Sequence, residues 1–206
     1  MKLQALRTAR FSPRSKRKFS YLQLTMVLSS FYHTFTCHSP KVSENCLTLD
    51  LLGITMGLLA TYLSGIYYAF WCQPLWRDFY LSTVGGLFAI ATIAQFIPGF
   101  QDEKNAKKRL GLFFFWAAYG IVPTVHWVLL HPEGLSHSLV SAMLPRIIFM
   151  YCICGLAFFF YVTKFPERLV PGLVDIIGHS HQWWHILIFF GLYFWHNTGL
   201  TFAMFR

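Results

Sequence analysis

Three histidines stand near the boundaries of long apolar stretches, where they could act as metal ligands. His181 and His185 are four residues apart, so they would share one face of a helix. His33 has the same spacing from Ser29, and Asp50 opens the next apolar stretch. Imidazole nitrogen is a common zinc ligand, and three protein ligands leave one coordination position open, as in catalytic zinc sites. The residues therefore indicate a candidate zinc site at His33, His181 and His185.

Asp50 and Ser29 would complete a hydrolytic set beside such an ion. Asp50 could hold or deprotonate a water molecule whose pKa zinc lowers to about 7. Ser29 could orient that water or an oxyanion by hydrogen bonding. A carboxylate inside a membrane segment is rare without a role, which favours Asp50 as a functional residue. The alternative stays open, because histidine pairs and intramembrane carboxylates also form purely structural bonds between helices.

Four other histidines are weaker candidates. His126 falls towards the opposite side of the membrane, so we expect it to have a packing or structural role. His196 lies deeper in the last apolar stretch and should make an interhelical hydrogen bond. His38 and His179 are close in sequence to the candidate ligands but lie off their helical faces, which makes them second-choice ligands.

The elements that must position these residues are membrane helices. Of 206 residues, 55% are hydrophobic and 12% are charged, whereas an ordinary soluble domain has about 25% charged residues. Apolar blocks of about 20 residues recur, each long enough to cross a hydrocarbon layer of about 30 Å. This excludes a soluble enzyme, a secreted disulfide module and a disordered protein. We predict an all-α membrane protein, a polytopic bundle of about six transmembrane helices. The predicted spans are Phe19–Phe35, Leu47–Trp71, Phe79–Ile97, Leu110–Leu130, Ala142–Val162 and Gln182–Phe205.

The net charge of +9 is concentrated before the first span. The basic residues there are Lys2, Arg7, Arg10, Arg14, Lys16, Arg17 and Lys18. We interpret residues 1–18 as a basic tail that flanks a transmembrane domain at 19–206 or contacts anionic lipid heads; a nucleic-acid partner is not expected. A mitochondrial transit peptide is a rival interpretation, since the first acidic residue is Glu44.

The basic residues of the loops predict the orientation. The loops after the first, third and fifth spans carry Lys41, the four basic residues of 104–109, Lys164 and Arg168. The positive-inside rule places these loops in the cytoplasm. With six spans, the same rule conflicts with the basic tail, which would then lie on the opposite side. A further helix ahead of the first span would remove the conflict.

Several motifs, taken in order, resemble the signatures of the progestin and adipoQ receptor family. Ser29–His33 fits its Ser-x-x-x-His motif, and Leu49–Asp50 with Gly53 resembles the opening of the next helix. Glu167–Gly172 and Ser180–His185 resemble the signature of the last loop and last helix. The resemblance covers residues from about 20 to 206.

This resemblance implies a seven-helix bundle with a cytoplasmic N-terminus, of which we expect the first helix to be missing here. It implies zinc on the cytoplasmic side, bound by His33, His181 and His185. The adipokine-receptor branch is linked to ceramide hydrolysis, and Ser29 and Asp50 occupy the positions of its serine and aspartate.

Two further segments, Ile121–Trp127 and Lys164–Arg168, look closest to a Golgi-resident branch of the family that traps Raf-type kinase. The resemblance therefore implies a zinc-containing, multi-pass receptor-like or tethering protein of the Golgi membrane that regulates Raf/MAP kinase or lipid signalling. Its cytoplasmic loops, Gln101–Arg109 in particular, would contact the kinase. The alternative is a zinc-dependent intramembrane lipid amidase of the ceramidase type.

Overall fold

The computed structural model describes residues 13–205, with side chains from Gln23 onward. Its α-helices are α1 (Pro13–Phe35), α2 (Pro40–Ala69), α3 (Pro74–Gln95), α4 (Ala106–Tyr119), α5 (Ile121–Leu129), α6 (Ser138–Thr163) and α7 (Ser180–Met204). Short 3₁₀ helices lie at Glu103–Asn105 and Gly134–Ser136. No strand occurs among residues 13–205, so the predicted all-α membrane class is confirmed.

The described residues form two compact units, divided between Pro132 and Glu133. The first unit contains α1 to α5, in which α1 packs on α2 and α2 on α3. The second contains α6 packed on α7. The prediction of a tail at 1–18 lies outside the described residues as far as residue 12, and α1 begins at Pro13.

Four segments have the length and hydropathy of a membrane span: α2, Glu103–Leu129 (which joins α4 and α5), α6 and α7. The predicted first and third spans are also helices, α1 and α3. Among the described residues, neither is apolar enough to be grouped with these four segments. Polar residues in α1 and the pair Arg77–Asp78 near the start of α3 lower their hydropathy.

Three helices begin before the predicted membrane spans, each at a proline that precedes the apolar stretch. Helix α1 begins at Pro13 rather than Phe19, α2 at Pro40 rather than Leu47, and α3 at Pro74 rather than Phe79. Proline suits the first turn of a helix, because its missing N–H has no partner to lose there and its fixed φ is helical. In α2 the Ser39 hydroxyl also caps the first turn, accepting a hydrogen bond from the Val42 N–H at 3.3 Å.

Two glycines bring α1 and α2 close together. Gly53 and Gly57 lie one turn apart on α2, and a Cβ at Gly57 would stand 3.3 Å from Thr25 Oγ1 of α1. The buried Thr25 hydroxyl donates to the Gly53 carbonyl at 2.9 Å. Small residues of this spacing allow helix backbones to approach closely in a membrane. This contact fixes the register between α1 and α2.

The fourth apolar stretch breaks at Gly120, between α4 and α5. Pro123 cannot donate a backbone hydrogen bond, and its ring would clash with the carbonyl of Tyr119 in a continuous helix. The Tyr62 hydroxyl of α2 compensates. It donates to the Trp116 carbonyl at 2.5 Å and accepts from the Gly120 N–H at 2.9 Å. The interruption predicted near Pro123 is thus a break stabilised by a tyrosine.

Helices α6 and α7 of the second unit run antiparallel. The rings of Phe149 and Phe194 lie 4.9 Å apart, while Phe160, further along α6, stacks at 5.9 Å on Trp183, which is earlier in α7. Gly191 permits close contact, since a Cβ there would stand 3.3 Å from Ile153 Cγ2. The start of α7, which carries two candidate ligands, therefore lies beside the end of α6.

Candidate functional site

In the first unit, the contact between α1 and α2 brings together three predicted site residues: Ser29 and His33 of α1, and Asp50 of α2. Thr25, Ser29 and His33 are spaced by four residues along α1, so they share one face. On α2, Asp50 and Gly53 are three apart and also share a face. Because Thr25 bonds to Gly53, the next turn of α1 places Ser29 opposite Asp50.

The Ser29 hydroxyl is buried, with 6% of the residue exposed, and has no hydrogen-bond partner among the described residues. The half-buried Asp50 carboxyl approaches Ser29 and interacts electrostatically with His33, which is exposed. The approach of Asp50 to Ser29 falls short of standard hydrogen-bond geometry. The buried hydroxyl and the neighbouring carboxylate both have unused hydrogen-bonding capacity, so together they can position a further polar group.

In the second unit, His181 and His185 form a pair on the first two turns of α7. Their Nε2 atoms are 3.1 Å apart, and their rings lie at 89° to each other with centroids 4.6 Å apart. Both side chains are half-buried. The second-choice ligand His179 stacks on His181 at 6.5 Å, nearly parallel. The i, i+4 spacing thus produces the convergent pair that the sequence predicted.

Glu167 positions the start of α7. The residue before the helix, His179, makes no side-chain cap. Instead the Glu167 carboxylate accepts from the Ser180 N–H at 2.7 Å and from the Ser180 hydroxyl. Burial raises the pKa of Glu167, but the hydrogen bonds that its carboxylate accepts, chiefly from Ser180, and the nearby His179 together lower it below its usual value. The sequence pattern indicates no role for Glu167 beyond its place in the family motif, because the 13-residue separation from Ser180 matches no local capping pattern.

We expect Glu167→Gln to destabilise the protein by about 1 kcal/mol at neutral pH, the usual cost of losing a helix cap. The lowered pKa means that the folded state favours the charged carboxylate. Its contribution is present above the ordinary pKa, about 4.3, and is lost as the pH falls through the lower folded value. Thermal midpoints in detergent should therefore differ between wild type and variant at pH 7 and converge in acid. Glu103→Gln, at an exposed glutamate, is the control; a constant difference at all pH values would contradict the capping role.

His126, for which we expect a packing or structural role, is hydrogen-bonded and surrounded by aromatic rings in the first unit. His126 Nδ1 hydrogen-bonds the Tyr80 hydroxyl at 2.8 Å, and the Trp76 ring stands 4.4 Å from its ring. Phe70 covers another side, with ring centroids 5.9 Å apart. Aromatic rings thus surround the His126 side chain, and its Nδ1 atom is occupied by a hydrogen bond that joins α5 to α3.

Two of the four basic side chains in the stretch Gln101–Arg109 are engaged by local contacts. Arg109 donates from one terminal nitrogen to the carbonyls of Phe100 and Asp102 at 2.8 and 2.9 Å. Lys104 pairs with Asp102 at 2.9 Å. Lys107 and Lys108 are exposed on the first turn of α4. The stretch is thus an ordered turn that presents two lysines.

Comparison with known proteins extends these observations. The sequence pattern of the haemolysin-III related family matches residues 19–196. The chain is 40% identical over 185 residues to progestin and adipoQ receptor family member 3 of Mus musculus and of Homo sapiens, a match that covers 89% of this chain and 59% of each relative. It is 34% identical over 185 residues to the heptahelical transmembrane protein ADIPOR3 of Oryza sativa subsp. japonica, covering 88% of this chain and 44% of that protein. The chain therefore spans about half the length of these relatives.

Proposed function

This chain belongs to the haemolysin-III related family of progestin and adipoQ receptors, and on that premise we propose that it is a zinc-binding, receptor-like tethering protein of the Golgi membrane. It would regulate Raf-type kinase or lipid signalling from the cytoplasmic face. Four apolar helical segments support a multi-pass membrane protein. The Golgi location and the kinase partner rest on the motifs at Ile121–Trp127 and Lys164–Arg168.

The proposed zinc ligands are His33, His181 and His185, a donor set that could hold a metal ion. The pair in α7 supports the assignment. Two nitrogen ligands at about 2.05 Å from a tetrahedral zinc ion are about 3.3 Å apart, and His181 Nε2 and His185 Nε2 are 3.1 Å apart. In α1 the Ser29 hydroxyl, which has no hydrogen-bond partner in the described part of the chain, lies one turn before His33, as would suit a polar ligand or substrate group. When bound, zinc would supply a Lewis acid that polarises a carbonyl group or water.

The observation that carries the tethering function is the ordered turn before α4. Arg109 fixes the backbone of this turn by two hydrogen bonds to carbonyls, so Lys107 and Lys108 project from a preformed surface. Ordered charges lose less conformational entropy on binding than charges on a flexible loop. They would contact acidic side chains of a kinase and accelerate its association.

Pull-down of Raf-type kinase by the full chain tests this function. Recovery should fall several-fold in the double variant Lys107→Glu/Lys108→Glu, because reversed charges repel an acidic partner. Lys41→Glu, at another exposed lysine assigned to the cytoplasmic side, is the matched control. Equal recovery by the wild type and the double variant would remove this surface from the proposal.

A second candidate function, intramembrane lipid amidase, is favoured by the Ser29–Asp50 contact. The Asp50 carboxylate would accept a proton from the attacking water and return it to the amide nitrogen as the carbon–nitrogen bond breaks. The Ser29 hydroxyl would donate a hydrogen bond to the amide carbonyl oxygen as negative charge develops there. A ceramide is the expected substrate, since its amide lies at the headgroup boundary of a membrane lipid.

Release of free fatty acid from ceramide by purified protein tests the amidase. We expect Asp50→Asn to lower the rate at least about 100-fold, the usual contribution of a general base, while the zinc content stays unchanged. Asp78→Asn removes a carboxylate that is paired with Arg77 on α3 and serves as the control. If Asp50→Asn kept the wild-type rate, Asp50 would not be the base.

A further inference from the structure

The loop between α6 and α7 exposes an unusual amount of apolar surface. Leu169 is 70% exposed, Leu173 81%, Ile176 85% and Ile177 79%. Single exposed apolar residues are common, but a cluster of large ones marks a surface that is covered by another phase or molecule. We call residues 169–177 the apolar loop.

Hydrogen bonds hold the end of the apolar loop next to α7. The Gln182 side chain accepts from the Gly178 N–H at 2.6 Å and donates to the Ile176 carbonyl at 2.9 Å. Trp183 Nε1 donates to the Gly178 carbonyl at 3.0 Å. The bond between Glu167 and Ser180 closes the other side of the loop. The apolar side chains are therefore displayed from an anchored backbone.

Two basic and two acidic side chains flank the apolar loop or lie in it. Lys164 and Arg168 are exposed on its N-terminal side. Of the two carboxylates, Glu167 is engaged by Ser180, and Asp175 accepts from the Gly172 N–H at 3.2 Å. Both carboxylates keep their charge but are hydrogen-bonded within the loop region, whereas the two exposed basic side chains can reach headgroup phosphates. Basic side chains beside exposed apolar ones are typical of segments that bind anionic lipid surfaces.

The apolar loop is continuous with surface that faces lipid. It joins α6 and α7, both of which have the length and hydropathy of membrane spans. Val162 at the end of α6 and Ile186 near the start of α7 are 50% and 57% exposed. Both ends of the loop therefore emerge at one face of the same bilayer.

We propose that the apolar loop lies in the interface of the membrane that α6 and α7 span. Leu169, Leu173, Ile176 and Ile177 insert below the headgroups, while Lys164 and Arg168 contact anionic headgroups. The partner is the surface of this protein's own lipid leaflet, and the loop forms an interfacial anchor beside the first turn of α7.

Photo-crosslinking of the full chain in lipid nanodiscs tests the proposal. The photoreactive residue p-benzoylphenylalanine replaces Leu173 or Ile176, and adducts are identified by mass spectrometry. Ile186, on a spanning helix, is the lipid-facing reference, and Lys108 is the solvent-facing one. We expect lipid adducts at Leu173 and Ile176 in yields close to the Ile186 reference and several-fold above the Lys108 reference.

Lipid composition tests the charge contribution. In discs that contain phosphatidylserine and phosphatidylcholine, adducts at Leu173 should be enriched in phosphatidylserine. The double change Lys164→Gln/Arg168→Gln should remove that enrichment and keep the adducts. Yields at the Lys108 level, or crosslinks to a second copy of the chain in place of lipid, would overturn the proposal. If the chain that keeps Lys164 and Arg168 gave adducts without enrichment in phosphatidylserine, the proposed role of these two basic residues would be wrong.

Discussion

Replacing His185 with alanine should abolish stoichiometric zinc binding, from about one ion per chain to nearly none. Two histidine ligands without the third hold zinc poorly, since structural and catalytic sites use three or four protein ligands. A metal that binds only the folded state stabilises it by about 4 kcal/mol when free metal is a thousandfold above its Kd. The thermal midpoint should therefore fall on the order of 10 °C in the variant, measured in detergent beside elemental analysis.

The matched control for this prediction is His196→Ala, on the same helix but three turns further along α7. It should retain the zinc. Retention of one zinc ion per chain in both variants would show that the three-histidine assignment is wrong. Bonds between helices would then account for the histidine pair of α7.

Gly53→Leu should be the most damaging change at the contact between α1 and α2. A Cβ added at Gly53 would stand 3.4 Å from Thr25 Cα and 3.4 Å from Leu28 Cδ1, so a longer side chain must push the helices apart. Overpacking of this kind costs about 1–3 kcal/mol, and the loss of the Thr25–Gly53 hydrogen bond adds about 1 kcal/mol. Unfolding by denaturing detergent, followed by circular dichroism, measures the change.

Gly86→Leu on α3 provides the comparison, because a Cβ there meets no atom within 4 Å. It introduces the same side chain into a neighbouring helix without a steric conflict. We expect a change of less than about 0.5 kcal/mol, as at unconstrained surface positions. Similar destabilisation in both variants would mean that the close approach at Gly53 is not the cause.

The periodicity of the sequence was sufficient to predict the site's local pairs. The four-residue spacing of Ser29 and His33, and of His181 and His185, places each pair on one helix face. The pairing of Ser29 with Asp50 required more, because it depends on the register between two helices. That register is set by Thr25 bonding to Gly53, a contact between residues 28 apart that no local pattern encodes.

Helix boundaries were harder to predict, because proline occurs both in loops and in the first turn of a helix. Pro40 follows a turn, so it favoured a loop, yet the Ser39 cap makes it the first residue of a long helix. The interruption of the fourth stretch was predictable from Pro123. Its partner, Tyr62, was not predictable, because 58 residues separate it from Gly120.

The Tyr62 hydroxyl has a mechanical consequence for the first unit. A break such as that at Gly120 would ordinarily serve as a hinge, letting α5 swing about the end of α4. Here the hydroxyl also contacts the Ala117 carbonyl at 3.1 Å, so three backbone groups around the break are bound to a residue of α2. In lipid no water can replace these bonds when they part. Helices α2, α4 and α5 should therefore move as one stiff body, and a force applied at the outer end of α5 would reach α2 with little bending at Gly120.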